Sequence, residues 1–376
     1  MKKLAMWILP ALFLLTCATG LKAEELRGLW VDAWHHGFKS PAETTEMVAK
    51  AKAYNFNTLF VQVRRRSDTY YRSSIEPTAL DVAPDYDPLA DVVAKAHAAG
   101  LKVHAWLAIY TVHHYKHKEI PGMVHLKHPD WLMKDVKGES KIAGGRYWLD
   151  PGVPEAREYV ASLVEEIARK YSVDGIHLDR LEYPSREAGY NIKSLAAFFK
   201  ETGSRSKPDK DDPKWCEWRT ARTTDLVRAV YRKANTVKPG IQISASVNAN
   251  LREARWHRLQ DWEAWLKEGI LDFAVPMSFF HEQDAFRANV EELLPLCKYR
   301  PIYIGQSGWD NPVTSSLEQI GIARKAGGKG IVIYNYYLCS RPGKDETTSL
   351  FDALKAGLFS HPDTVPDLHP EKTDAH

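Results

Sequence analysis

The sequence predicts an α/β fold, a (β/α)8 TIM barrel with long βα loops at its C-terminal face, and three observations carry that prediction. In the stretch VDGIHLDRLEYP (173–184), Ile176 and Leu178 alternate with Gly175, His177 and Asp179. A strand reads this way when its apolar side packs on helices and its other side lines a lumen. About eight strand-helix units follow one another along the chain, the number a closed barrel needs. Long segments follow the second, third and fourth strands (65–87, 111–153, 181–218), whereas the helix-to-strand joints Phe56-Asn57, Gly100-Leu101, Ser172 and Pro239-Gly240 are tight. One rim is elaborated and the other kept minimal, as expected when function sits at the strand C-termini.

The elements follow in order. RGLWVDAW from Arg27 sets Leu29, Val31 and Ala33 against Trp30, Asp32 and Trp34, the alternation of a first barrel strand. Pro41 opens a helix running to Tyr54, and TLFVQVR (58–64) is the second strand, with Gln62 and Arg64 expected on the lumen side. A helix over 88–99 stops at Gly100, and KVHAWLAIY turns His104, Trp106, Ala108 and Tyr110 inward. Asp150 is the expected cap of a helix over 154–171, in which Val160, Leu163, Val164 and Ile167 recur at helical spacing. Strands begin at Gln242, Asp272, Pro301 and Lys329, alternating with helices over 219–237, 262–267, 284–296 and 317–325. From Ser360 the chain is polar and proline-rich, and a flexible tail over 360–376 is expected.

With 376 residues, 44% of them hydrophobic, the chain fills one large core over 24–359. Residues 1–23 read as a secretory signal peptide: Lys2 and Lys3, an apolar run from Leu4 to Leu15, and Ala23 before Glu24 and Glu25. The apolar run is too short to span a bilayer, so no transmembrane segment is expected. A lipoprotein form anchored through Cys17 is the less favoured alternative to a soluble periplasmic or extracellular one. Removing the signal takes Lys2, Lys3 and Lys22 from 51 basic residues and leaves a neutral chain against 48 acidic ones. Such a chain gives no electrostatic reason to bind nucleic acid. Cys216, Cys297 and Cys339 remain, an odd number expected to be buried thiols rather than a disulfide framework.

The chemistry centres on Asp179 and, three residues on, Glu182: two carboxylates about one loop turn apart at a barrel mouth, the parts that hydrolysis of a glycosidic bond requires. The plainer alternatives are an ion pair of Asp179 with Arg64 or Arg180 and a merely solvated or capping Glu182. If both act, one is ionised and one is held protonated. Asp32, Arg64, His177 and Asn248 are inward-facing candidates for holding sugar hydroxyls or charges, and Asp310 is the substitute acid should Glu182 be structural. Trp34, Trp106, Tyr110, Trp309 and Tyr334 fall near the rim, where aromatic faces stack on sugar rings. The rim also holds His35-His36, His113-His114, His117, His125 and His128. Neighbouring histidines in extended chain point apart, so each pair offers one ligand at most. With no HExxH spacing either, no metal and no cofactor are expected.

RGLWVDAW, FVQVR with the later Tyr70-Tyr71, KVHAWLAIY, YSVDGIHLDRLEYP, VPMSF and IVIYNYY together resemble the bacterial glycosyl-hydrolase-like family 10 proteins over nearly the whole mature chain. The resemblance implies a β/α barrel, export to the cell envelope or beyond, and hydrolysis of glycosidic bonds in a polysaccharide or oligosaccharide, peptidoglycan glycan strands among them. Two positions depart from the family's commoner pattern. Arg180 stands where many relatives carry a second aspartate, which moves the partner role towards Glu182, and Pro276-Met277-Ser278-Phe279 replaces Pro-Gln-x-Tyr, which removes hydrogen bonds to substrate. The alternatives to an exported glycoside hydrolase are a non-catalytic carbohydrate-binding barrel and a metal-assisted polysaccharide deacetylase.

Overall fold

The computed structural model describes residues 24–343 and 346–368, so the expected signal peptide and Cys17 lie outside the described residues. Ten strands are labelled in chain order: β1 (Leu26–Val31), β2 (Thr58–Arg64), β3 (Lys102–Ala108), β4 (Thr111–His114), β5 (Arg146–Trp148), β6 (Gly175–Asp179), β7 (Gln242–Asn248), β8 (Phe273–Met277), β9 (Ile304–Ser307) and β10 (Gly330–Tyr334). Eight of them close into a parallel barrel in the order β1-β2-β3-β6-β7-β8-β9-β10, with β10 hydrogen-bonded back to β1. β4 and β5 form a separate antiparallel pair over the mouth. A helix follows each barrel strand on the outside, and Leu29, Val31, Ile176 and Leu178 pack into that outer core.

The lumen is a second, smaller core of Leu26, Trp30, Phe60, Trp106, Phe273, Val275, Tyr303 and Val332. Strand alternation puts these on the inner face, and the bulk of Trp30 and His104 is met by small partners. A Cβ at Gly175 would lie 2.3 Å from His104 Nδ1, and one at Gly305 would lie 2.8 Å from the Trp30 ring. Those two glycines are therefore close-approach positions of the lumen layers.

Several expected boundaries shift. The helix expected from Arg219 begins at Pro213, because the Asp212 carboxylate accepts from the Lys214 and Trp215 amides. Asp150 does not cap Pro154–Lys170; its Oδ1 accepts from Gly152 N at 2.8 Å and closes the preceding turn. Cys297 is exposed, while Cys216 and Cys339 are buried and all three are free. The tail expected to be loose is docked over 360–368. Arg27 reaches the His361 carbonyl and, at 3.2 Å, Asp363, Glu25 N donates to Thr364 O, and Val365 and Leu368 pack on the lumen core. These contacts close the N-terminal end of the barrel and leave the C-terminal end as its open mouth.

Candidate active site

At the mouth lies a cavity of about 580 Å³. Asp179, the last residue of β6, is buried and faces it, and its Oδ2 accepts from Trp106 Nε1 at 3.1 Å. Trp30, Trp34, Trp106, Trp148, Trp309 and Tyr334 contribute aromatic surface to the same cavity. Such a lining suits the apolar faces of sugar rings.

Beneath the cavity floor, His177 is fully buried. Its Nε2 lies 3.2 Å from Trp30 Nε1 and 2.8 Å from Ser246 Oγ, and its Nδ1 lies 2.9 Å from Ser244 Oγ. Burial, then the neighbouring His104, holds the ring well below the usual imidazole range, so it is neutral. Indole N–H can only donate, so Nε2 is the acceptor and the proton sits on Nδ1. The ring thus fixes Trp30 and Ser246 from below without reaching the cavity itself.

Asp32 has no free oxygen for a sugar. Its Oδ1 accepts from the Trp34 amide at 2.8 Å, the His35 amide at 3.0 Å and His35 Nδ1 at 2.9 Å, and Oδ2 accepts from Asn335 Nδ2. It shapes the loop that presents Trp34. Burial, with the Asp32 and Asp179 charges adding, keeps the Tyr334 phenol protonated above them.

Glu182 stands behind the cavity wall rather than in its lining. Its Oε1 is 3.6 Å from Arg180 Nη1, and burial, reinforced by the Asp179 charge, raises its pKa above the ordinary carboxylate value. Arg180, between the two acids, lines the cavity and has φ of 56°. A left-handed arginine is the kind of local strain that collects at functional rims.

Four expected positions move away. The register of β2 against β3 passes from Gln62↔Trp106 to Arg64↔Leu107, two residues against one. This bulge turns Arg64 out of the lumen. There it is 0% exposed and bidentate to Glu76, at 2.7 and 2.8 Å. Tyr110, two residues past the end of β3, is buried behind the wall. Asn248 Oδ1 accepts from the Asn250 amide at 2.9 Å and so serves its own turn. Asp310 is exposed, 3.4 Å from His281. The cavity therefore gathers Asp179, Trp34, Trp106, Trp309 and Tyr334, and leaves Asp32, His177 and Glu182 as close support.

Sequence reasoning missed the cationic part of the wall: Arg65, Arg66, Arg146 and Arg180 line the cavity, with Asp179 as the single carboxylate beside them. Arg65 is paired with Asp68 at 2.5 Å. Arg66 stands 4.3 Å over the Trp34 ring, and burial, then Arg65, lowers its pKa to about 10. Neither Arg66 nor Arg146 has a carboxylate partner among the described residues. The run Arg64-Arg65-Arg66 at a strand end was the available signal. Met277 and Phe279 give the wall an apolar side where hydrogen-bonding groups were expected to be lost. Among the described residues one trio of possible metal ligands converges, His113, Glu119 and His125 beside the β4–β5 pair, and none of the three lines the cavity.

The family model described as Glycosyl hydrolase-like 10 matches residues 25–295. Glycosyl hydrolase YngK of Bacillus subtilis (strain 168) is 24% identical over 367 residues, covering 87% of this chain and 68% of its own length. Glycosyl hydrolase DigH of Escherichia coli (strain K12) is 27% identical over 256 residues, covering 60% of this chain and 54% of its own. The chain thus spans between half and about two thirds of these relatives. The PgaB (BpsB) glycoside hydrolase domain from Bordetella bronchiseptica superposes with a TM-score of 0.69 at 15% identity, covering 88% of this chain and 98% of that one. The catalytic domain of β-amylase from Paenibacillus polymyxa gives 0.62 at 14%, covering 90% and 99%. These structural likenesses bear out the barrel.

Proposed function

Because the chain belongs to the glycosyl-hydrolase-like family 10, we propose that it hydrolyses O-glycosidic bonds of a cell-envelope or extracellular polysaccharide, with Asp179 and Glu182 as the carboxylate pair. One observation carries the proposal: Asp179 ends a barrel strand at the aromatic mouth cavity, its oxygen held by Trp106 Nε1. In this reading Asp179 is the nucleophile at the anomeric carbon or the base that activates the attacking water. Glu182, whose pKa burial raises above the ordinary carboxylate value, is the acid that donates to the leaving oxygen once Arg180 and the adjoining loop bring it to the bond. Trp34, Trp309 and Tyr334 position the rings.

The guanidinium groups of Arg66 and Arg146, without a carboxylate partner among the described residues, support an anionic glycan. Peptide-free peptidoglycan strands, whose lactyl ethers end in free carboxylates, fit that charge, and the leader read in residues 1–23 would deliver the enzyme to them. The test is release of new reducing ends from peptide-free peptidoglycan and from α- and β-linked polysaccharides. Asp179→Asn, which keeps shape and removes charge, is expected to lower turnover at least about a thousandfold. Unchanged turnover would refute the assignment. An aryl glycoside whose leaving group needs no proton separates the roles: Glu182→Gln should recover on it and Asp179→Asn should not.

The position of Glu182 behind the wall favours one second reading, a carbohydrate-binding barrel without catalysis. Retention of glycans with no new reducing ends across the same panel would select it.

A further inference from the structure

The β4–β5 pair is a flap that supplies Thr111, Arg146 and Trp148 to the cavity wall, and the loop after β4 supplies His117. His113 on β4, Glu119 in that loop and His125 on the short helix Val124–Lys127 meet on the side of the flap away from the cavity. One ligand atom from each lies within 4.8 Å of the others. The Nε2 atoms of both histidines address the same oxygen, Glu119 Oε1, at 3.2 Å from His125 and 3.8 Å from His113.

His113 is 2% exposed and its ring makes no hydrogen bond: Nδ1 is unpartnered, and 3.8 Å is too long for one from Nε2. A buried imidazole left in that state requires an explanation. The donor set supplies one. In a tetrahedral zinc shell with bonds of roughly 2.0–2.1 Å, neighbouring donors stand about 3.3–3.4 Å apart, and the two distances here bracket that spacing. We propose that His113, Glu119 and His125 bind one zinc-class divalent ion that clasps the 115–123 loop to the flap beside the mouth.

Two imidazoles and a carboxylate select a borderline ion such as Zn²⁺ over Ca²⁺ or Mg²⁺, which take oxygen shells. The His113 and His125 rings now stack, with centroids 4.4 Å apart and planes 10° from parallel, and Tyr147 closes the stack 5.6 Å from His125. Binding requires the two rings to splay so that both lone pairs meet one point. Glu119, whose side chain is 53% exposed, is the entry side and leaves the fourth position to water. The bound ion would turn that exposed loop into a fixed part of the wall.

The test uses the full chain without a histidine tag, stripped with a chelator and titrated with Zn²⁺ against a chromogenic competitor. One equivalent per chain is expected, with affinity lowered at least about tenfold in Glu119→Gln and lost in His113→Ala. Zinc should also slow tryptic cleavage at Lys116 and Lys118 in the wild type and not in Glu119→Gln. Because Glu119 is exposed, its variant remains informative even where a histidine variant fails to fold. No stoichiometric zinc in the wild type, or zinc whose affinity Glu119→Gln leaves unchanged, would overturn the clasp.

Discussion

Replacing Glu76 with Gln tests whether the Arg64 pair is scaffolding or part of sugar recognition. Both side chains are 0% exposed, the guanidinium grips both carboxylate oxygens, and Tyr159 Oη donates to Oε1 at 2.7 Å. Arg64 Nη1 also donates to the Ala108 and Ile109 carbonyls, which fixes the end of β3 where Ala108 meets the cavity. The amide keeps the shape but leaves a buried charge uncompensated, at a cost of about 3–5 kcal/mol. At about 2.1 cal/mol/K per residue, roughly 340 folded residues give an unfolding entropy near 0.7 kcal/mol/K, so Tm should fall by about 4–7 °C. Thermal unfolding followed by circular dichroism reads this directly. Replacing both partners, Arg64→Met with Glu76→Leu, should recover more than half of the loss, since the desolvation of two charges is then removed as well. A Glu76→Gln protein that melts within about 1 °C of wild type yet binds glycans more weakly would refute the reasoning and return Arg64 to the substrate.

The other predictions are independent of that pair. Glu182 acts only while protonated, so kcat should fall as pH rises through its raised pKa, on a limb above the ordinary glutamate value, and Glu182→Gln should lack that limb. Burial raises Asp150 to about 7, so the folded chain holds a proton that the unfolded chain releases from about pH 4 upward. The stability this proton gives is complete below pH 4 and lost by pH 7, about 4 kcal/mol in all; in urea melts the gain of Asp150→Asn over wild type should grow across that window, and a constant difference would contradict it. A methyl at Gly175 would stand 2.3 Å from His104 Nδ1 and 2.8 Å from the Gln242 carbonyl, so Gly175→Ala should destabilise by at least about 1–3 kcal/mol in the same melts. Arg66→Gln should raise KM severalfold for a carboxylated glycan and leave a neutral one of the same backbone unchanged; equal effects on both would remove the anionic-substrate argument.

The barrel was legible because its strands are long enough for alternation to report a side. GIHLD places Asp179 and His177 inward, and the structure agrees to the residue. The flap was not legible, since TVHH and RYW are too short to show a period and lie outside the barrel sheet. Pairing by tertiary contact likewise decided the tail, whose polar composition says nothing of the Arg27 and Glu25 groups waiting at the barrel base. Arg64 failed for a sharper reason. Alternation holds only while the two strands advance together, and the two-against-one step between Gln62 and Arg64 reverses sidedness with no mark in VQVRRR. That single step does two things at once. It sends Arg64 into the outer core, where Glu76 neutralises it, and it delivers the next two arginines to the cavity rim, where Arg66 finds only the Trp34 face. The Arg65 and Arg66 part of the cationic wall and the buried pair are thus two consequences of one extra residue. An in-register β2 would have put Arg64 beside Gln62 inside the barrel and left the mouth without the Arg66 charge over Trp34.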